Sequence, residues 1–188
     1  YLNISSRDRV ITTLPMSYSY GLSIINTHLF SNSSLILTNL SFAQRSIWDQ
    51  IKKFKVTTFG GVPYTFELLR KLNFSKLNID SFHYITQAGG KLDLNVLKYF
   101  TKVCKKKKIK FFVMYGQTEA SPRMSYLNFN KLYKKMGSIG KPLNGAKFQI
   151  LNKKGAVIKK SLLNGELVYF GKNVSLGYAY SLKDLKKG

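Results

Sequence analysis

Lys110-Phe111-Phe112-Val113-Met114-Tyr115-Gly116-Gln117-Thr118-Glu119 is a short apolar run closed by a glycine turn that carries a hydroxyl and a carboxylate. A run of this length bounded by turn residues reads as a strand buried on both faces. The same order recurs upstream. Ser34-Leu35-Ile36-Leu37-Thr38 is a short strand, and Phe42, Ile47, Trp48, Ile51 and Phe54 mark an amphipathic helix after it. Thr57-Thr58-Phe59 is the next strand, ending at Gly60-Gly61-Val62-Pro63. Pro63 suits a first helical turn, where the N–H that it lacks would have no partner, and Phe66, Leu69 and Leu72 give the helix an apolar face. Phe82 to Thr86, with His83 inside it, forms a third strand ending at Gly89-Gly90. Asp93 is placed to cap the following helix, whose apolar positions are Leu94, Leu97, Phe100 and Val103/Cys104. Alternating strands and helices imply right-handed crossovers and a mostly parallel sheet flanked by helices, an α/β fold.

After about Ser125 the texture changes. Short apolar stretches, Lys147 to Leu151, Ala156 to Ile158 and Glu166 to Phe170, are punctuated by glycine and asparagine. This is the pattern of antiparallel strands joined by tight turns, with Asn164-Gly165 the stronger hairpin signal and Lys154-Gly155 the weaker. The expected organisation is an α/β part over residues 1–130 followed by a smaller, incomplete β-rich subdomain over 131–188.

The 188 residues, 44% hydrophobic with only four prolines, can bury a core. At about 150 residues per domain they amount to one domain and a piece. The lone Cys104 forms no intramolecular disulfide and supplies no cysteine metal site, which fits the cytoplasm. No apolar run reaches the roughly 20 residues of a membrane span. Tyr1-Leu2-Asn3 is neither an initiator methionine nor the opening of a signal peptide, so a fragment is expected.

The formal charge is +23, from 31 basic and 8 acidic residues. Lysine dominates: Arg7, Arg9, Arg45, Arg70 and Arg123 are the arginines, whereas base-edge reading relies on arginine's planar fork. The excess travels with abundant Asn, Ile, Tyr and Phe, as an AT-rich coding bias would produce. No specific nucleic-acid partner follows. The one dense run, Lys102 to Lys110, reads as the C-terminus of a helix, where positive side chains meet the negative end of the macrodipole.

In open parallel sheets, ligands bind outside the carboxyl ends of the strands. Gly60-Gly61, Gly89-Gly90 and Gly116 stand at three such ends, where the lack of a Cβ lets backbone approach a ligand closely. In Tyr115-Gly116-Gln117-Thr118-Glu119 the ring offers a stacking face and the hydroxyl a hydrogen bond to phosphate. A carboxylate beside phosphates calls for a bridging divalent cation, so this segment points to a nucleotide with Mg²⁺. The rest of the chain offers little competing chemistry. His28 and His83 read as structural, Asp49 and Asp80 lack the company of a metal pair, and Cys104 reads as core rather than as a nucleophile.

Tyr115-Gly116-Gln117-Thr118-Glu119 resembles the Tyr-Gly-x-Thr-Glu motif of the adenylate-forming superfamily: acyl-CoA synthetases, firefly luciferase and peptide-synthetase adenylation domains. The resemblance covers nearly the whole chain. Leu14 to Gly21 is similar to the family's Leu-Pro-x-x-His-x-x-Gly, Gly61-Val62-Pro63 to its Gly-Val-Pro, and Ala88-Gly89-Gly90-Lys91-Leu92 to its Gly-Gly-Ala-x-Leu. Gly137 to Pro142, Gly165-Glu166-Leu167 and Gly177-Tyr178 follow in the family's order. The resemblance implies activation of a carboxylic acid, a fatty acid among the options, by attack on the α-phosphorus of ATP. A thiol, of CoA or of a carrier protein, then displaces AMP.

Carried over residue by residue, the resemblance has Tyr115 stack on adenine, with Gly89, Gly90 and Gly116 around the nucleotide. Thr118 contacts phosphate, Glu119 holds Mg²⁺, and Tyr18, Gly61 and Val62 lie on the acyl side. Thr118 and Glu119 are the expected catalytic pair. Tyr18 departs from the pattern, because the family often has His there and a phenol cannot become cationic near neutral pH; a packed aromatic and a substrate-lining role both remain open. The family's phosphate loop would precede residue 1, and its ribose-binding Asp and lysine-bearing C-terminal domain would follow residue 188. The expectation is therefore the middle of such an enzyme, inactive in isolation. The alternatives are a domain loading a carrier protein and a non-enzymatic basic binding module.

Overall fold

The computed structural model describes residues 1–186. A seven-stranded sheet runs in the order β2-β1-β3-β4-β5-β6-β7. Its strands are β1 (Arg9–Thr12), β2 (Ser34–Leu37), β3 (Thr58–Gly61), β4 (Tyr84–Gln87), β5 (Lys110–Tyr115), β6 (Ser125–Leu127) and β7 (Lys141–Pro142). The first five pair in parallel; β6 and β7 close the edge antiparallel. The helices α1 (Ser19–Phe30), α2 (Arg45–Lys53), α3 (Pro63–Lys71) and α4 (Leu94–Lys106) fill the crossovers.

The chain first moves outward from β1 to β2, then reverses past β1 into β3, β4 and β5. Right-handed crossovers in opposite directions put helices on opposite faces. Ile47, Ile51, Phe66, Leu69, Leu97 and Phe100 of α2, α3 and α4 accordingly form one core with Ile11, Phe59, Ile85 and Phe111 of the sheet. Tyr20 and Ile24 of α1 form a second core with Val10, Tyr84, Phe112 and Met114. Successive strand residues alternate between these cores, as the pleat requires.

Local expectations are met where turn and cap chemistry is explicit. The Asp93 carboxylate accepts from the Asn95 and Val96 N–H groups at the start of α4. Pro63 opens α3, and Thr65 Oγ1 reaches back to the Val62 N–H. Lys105 and Lys106 occupy the last turn of α4, and Lys107 Nζ donates to the Leu77 carbonyl at 2.9 Å, so the basic run is a helix end. Leu94, Leu72 and Phe54 are the exceptions on the apolar faces: each lies at a helix end and is exposed. Asp8, buried at the other end of the sheet, accepts from the Ser5 N–H and the Thr57 hydroxyl. His83, immediately before β4 rather than within it, has its Nδ1 3.7 Å from the same carboxylate.

A second sheet pairs β8 (Lys147–Leu151) antiparallel with β9 (Glu166–Phe170). The hairpin reading of Asn164-Gly165 is corrected here. The tight turn is at Asn152 to Gly155, where Asn152 Oδ1 takes the Lys154 and Ala156 N–H groups and Gly155 adopts φ +78°. The stretch from Ala156 to Ile158 contributes only the isolated bridge between Leu151 and Val157. Among the described residues, no helix is long and apolar enough to cross a membrane.

Candidate functional site

The carboxyl ends of β4 and β5 open onto a cavity of about 650 Å³ on the α4 side of the sheet. Tyr18, Gly89, Gly90, Tyr115, Gly116, Thr118 and Glu119 all lie on its wall. Gly61 and Val62 do not: Gly61 is buried in β3, where a Cβ would strike Thr65 and Phe66 of α3. Val62 stands behind the wall, its Cγ1 3.0 Å from where a Gly89 Cβ would sit.

Two turns shape this wall. Gly89 has φ +79°, and a Cβ there would lie 2.5 Å from the Tyr18 hydroxyl oxygen. At Gly116 a Cβ would fall 1.6 Å from the Pro122 carbonyl oxygen, since the chain after β5 folds back on itself and the Met124 N–H returns to the Tyr115 carbonyl. Thr118 to Ala120 form one 3₁₀ turn, which leaves the Thr118 and Glu119 side chains exposed at the cavity.

Four further residues act on these groups. Ser19, the first residue of α1, places its Oγ 3.0 Å from Thr118 Oγ1. Only one proton can lie between the two hydroxyls, so the pair retains one to donate outward. The first turn of α1 has no side-chain cap, and uncapped N–H groups beside that pair favour an anion. Gln87, at the end of β4, donates from Nε2 to the Gly90 carbonyl at 2.8 Å; its Oε1 is buried without a partner on the cavity wall. Asn173, after β9, donates to the Ala120 and Arg123 carbonyls and holds the turn from behind. Tyr178 donates to Glu119 Oε1 at 2.6 Å. This bond, the largest influence on the carboxyl, holds Glu119 below its ordinary pKa and raises that of Tyr178.

None of these four could be assigned from single residues. Ser19 and Tyr178 lie inside quoted motifs but carry no local sign of their partners 99 and 59 positions away. Gln87 reads as one more strand residue.

Strand order reverses at β1 and β3, and the cavity opens at the carboxyl ends of the adjoining strands. That arrangement defines a ligand-binding α/β domain of the doubly wound type. Residues 1–179 match the model of the AMP-binding enzyme family, and the chain belongs to that family. It is 27% identical over 177 residues to a 2-succinylbenzoate–CoA ligase of Bacillus velezensis, covering 94% of this chain and 34% of that protein. It is 28% identical over 181 residues to an oxalate–CoA ligase of Saccharomyces cerevisiae, covering 96% of this chain and 32% of the relative. Among solved structures, it superposes with TM-score 0.80 and 26% identity on the O-succinylbenzoate coenzyme A synthetase of Bacillus subtilis in complex with ATP and magnesium ion. The match covers 94% of this chain and 35% of that one. The chain thus spans about a third of the length of these relatives.

Proposed function

We propose that this chain is part of an ATP-dependent ligase that joins a carboxylic acid to the thiol of CoA through an acyl-adenylate. The observation that carries the reading is the meeting of Thr118 and Glu119 with the Gly89 and Gly116 turns at one cavity, Thr118 being hydrogen-bonded to Ser19 behind it. CoA is favoured over a carrier-protein thiol because the relatives are CoA ligases by name. Residues 1–130 would carry nucleotide and acyl recognition, and 131–188 the smaller β-rich subdomain. The buried free thiol of Cys104 suits a cytoplasmic location.

In this reading the Tyr115 ring stacks on adenine against the Gly89–Gly90 turn, and Gln87 Oε1 offers its unmet acceptor to a base amino group. The Ser19–Thr118 pair and the first turn of α1 hold phosphate oxygens, so donors stand ready where negative charge builds during attack at the α-phosphorus. Tyr18 closes the passage between nucleotide and acid. Among the described residues, no three side chains form a metal cage, and Glu119 is the carboxylate on the cavity wall. One carboxylate suits a cation that takes most of its ligands from phosphates and water, as Mg²⁺ does. Bound there, Mg²⁺ would neutralise charge on the phosphates during their transfer.

Calorimetric titration with ATP, with Mg²⁺ and with EDTA, tests the assignment. Mg²⁺ should tighten binding to the wild-type chain by at least the roughly tenfold that even outer-shell partners of a metal contribute. In Glu119→Gln the two affinities should coincide, while metal-free binding stays as it was. A wild-type chain that binds no ATP, or a variant that keeps the full metal effect, refutes it.

A further inference from the structure

A smaller cavity of about 70 Å³ lies on the α1 side of the sheet end. Tyr18, Gly89, Met114 and Thr118 line both cavities, but Arg123 and the buried Tyr20 line only the small one of the two. An acid whose carboxylate reacts beside Thr118 has its nucleotide on the α4 side, so its remainder must point toward Arg123.

Arg123 is an unusual residue for such a place. Its guanidinium meets the Tyr1 phenol, but its Nε is buried with no hydrogen-bond partner, and it forms no ion pair among the described residues. Its backbone is pinned by Asn173 Nδ2 at the carbonyl and by the Met124 N–H bond to Tyr115, so the guanidinium is carried by a rigid turn rather than a free loop. Met114 and Tyr20 beside it are almost fully buried and would keep water from substituting for a counter-ion. A cavity of about 150 Å³ takes a benzene ring, and this one, at about 70 Å³, is half that size. Only a remainder of a few heavy atoms fits.

We propose that the acid activated here is a short dicarboxylate whose distal carboxylate pairs with the Arg123 guanidinium. The inference rests on the nucleotide reading of the Thr118–Glu119 turn. A planar guanidinium matches a carboxylate through two parallel N–H bonds. A monoacid with an alkyl end would leave the buried donor unmet, and rejection by an unpaired buried polar group is strong discrimination. Arg123 also lines a wider neighbouring cavity of about 470 Å³, edged by Asn26, Thr27 and Asn173. Arg123 thus borders both the small cavity and the wider one.

The test uses the 188-residue chain loaded with AMP, titrated calorimetrically with malonate and with butyrate, which are similar in size but one charge apart. Malonate should bind at least about tenfold tighter to the wild type. Arg123→Leu should erase this preference, since it removes the paired charge. Arg123→Lys should keep part of the preference, and AMP affinity should be the same in all three. If butyrate matches malonate on the wild type, the inference fails whether or not either variant folds, and intact AMP binding leaves the nucleotide reading standing. Persistence of the preference in a folded Arg123→Leu also overturns it. Failure of the wild type to bind AMP overturns both.

Discussion

The Tyr178 hydroxyl donates to Glu119 Oε1 at 2.6 Å, joining the turn after β5 to a segment 59 residues further along the chain. The bond stabilises the ionised carboxylate, so the pKa of Glu119 lies below its ordinary 4.5 with Tyr178 as the main cause. Tyr178→Phe should move the Glu119 titration midpoint up toward that value, read from its side-chain carboxyl carbon signal by NMR. The reciprocal variant, Glu119→Gln, should lower the Tyr178 phenol toward 10, read from phenolate absorbance. An unmoved midpoint in Tyr178→Phe would show that the two side chains are not joined in solution.

Gly89→Ala should damage binding and stability together. A left-handed backbone costs a residue with a Cβ about 1–2 kcal/mol, and here the added methyl also meets the Tyr18 hydroxyl. Chemical denaturation should show a loss of at least that size, with weaker AMP binding because the loop must shift. Gly116→Ala should be worse, since its methyl overlaps the Pro122 carbonyl, a backbone atom that no rotamer change can remove.

His28 should make the fold acid-sensitive. Its Nδ1–H donates to the Ile24 carbonyl at 2.7 Å and its Nε2 lies 3.0 Å from the Tyr84 hydroxyl. Burial is the main reason that its pKa lies below the ordinary 6.5. The unfolded chain therefore binds this proton first as pH falls, and stability present above 6.5 drains away from there down to the folded-state value. Denaturation curves between pH 7.5 and about pH 5 should show a steeper decline for the wild type than for His28→Gln. Parallel declines would exclude His28 as the source.

Cys104 should be inert in the native chain. Burial within α4 pushes its thiol up to about 12 from 9.0, which leaves about a thousandth of the usual thiolate at neutral pH. A thiol reagent should label it only on unfolding, at a rate that follows denaturant concentration. Rapid labelling without denaturant would show that this helix opens locally.

The parts of this molecule legible from sequence are those whose causes lie close together along the chain. Apolar spacing places α2, α3 and α4; Asp93 and Pro63 mark two helix starts; and the glycine turns after β4 and β5 announce where backbone can approach a ligand. The short strand Arg9–Thr12 carries no such mark, with four residues, two of them polar, and no glycine boundary, yet it sits at the point where strand order reverses. The Asn164-Gly165 signal misled for the opposite reason: a favourable turn pair is not used as a tight hairpin because β8 and β9 are joined through the whole of residues 152–165, whose tight turn is at Asn152 to Gly155.

Periodicity, capping and turn chemistry are short-range, so the sequence alone determines the alternating elements and the Tyr115–Glu119 turn. Tertiary structure decides which hydroxyl meets Thr118, which phenol holds Glu119, that Gly61 faces α3 rather than the larger cavity, and that Arg123 borders a small cavity. Each of these depends on strand order and helix side. Those are set by burying two apolar faces of one sheet at once, a condition that no local window of residues contains.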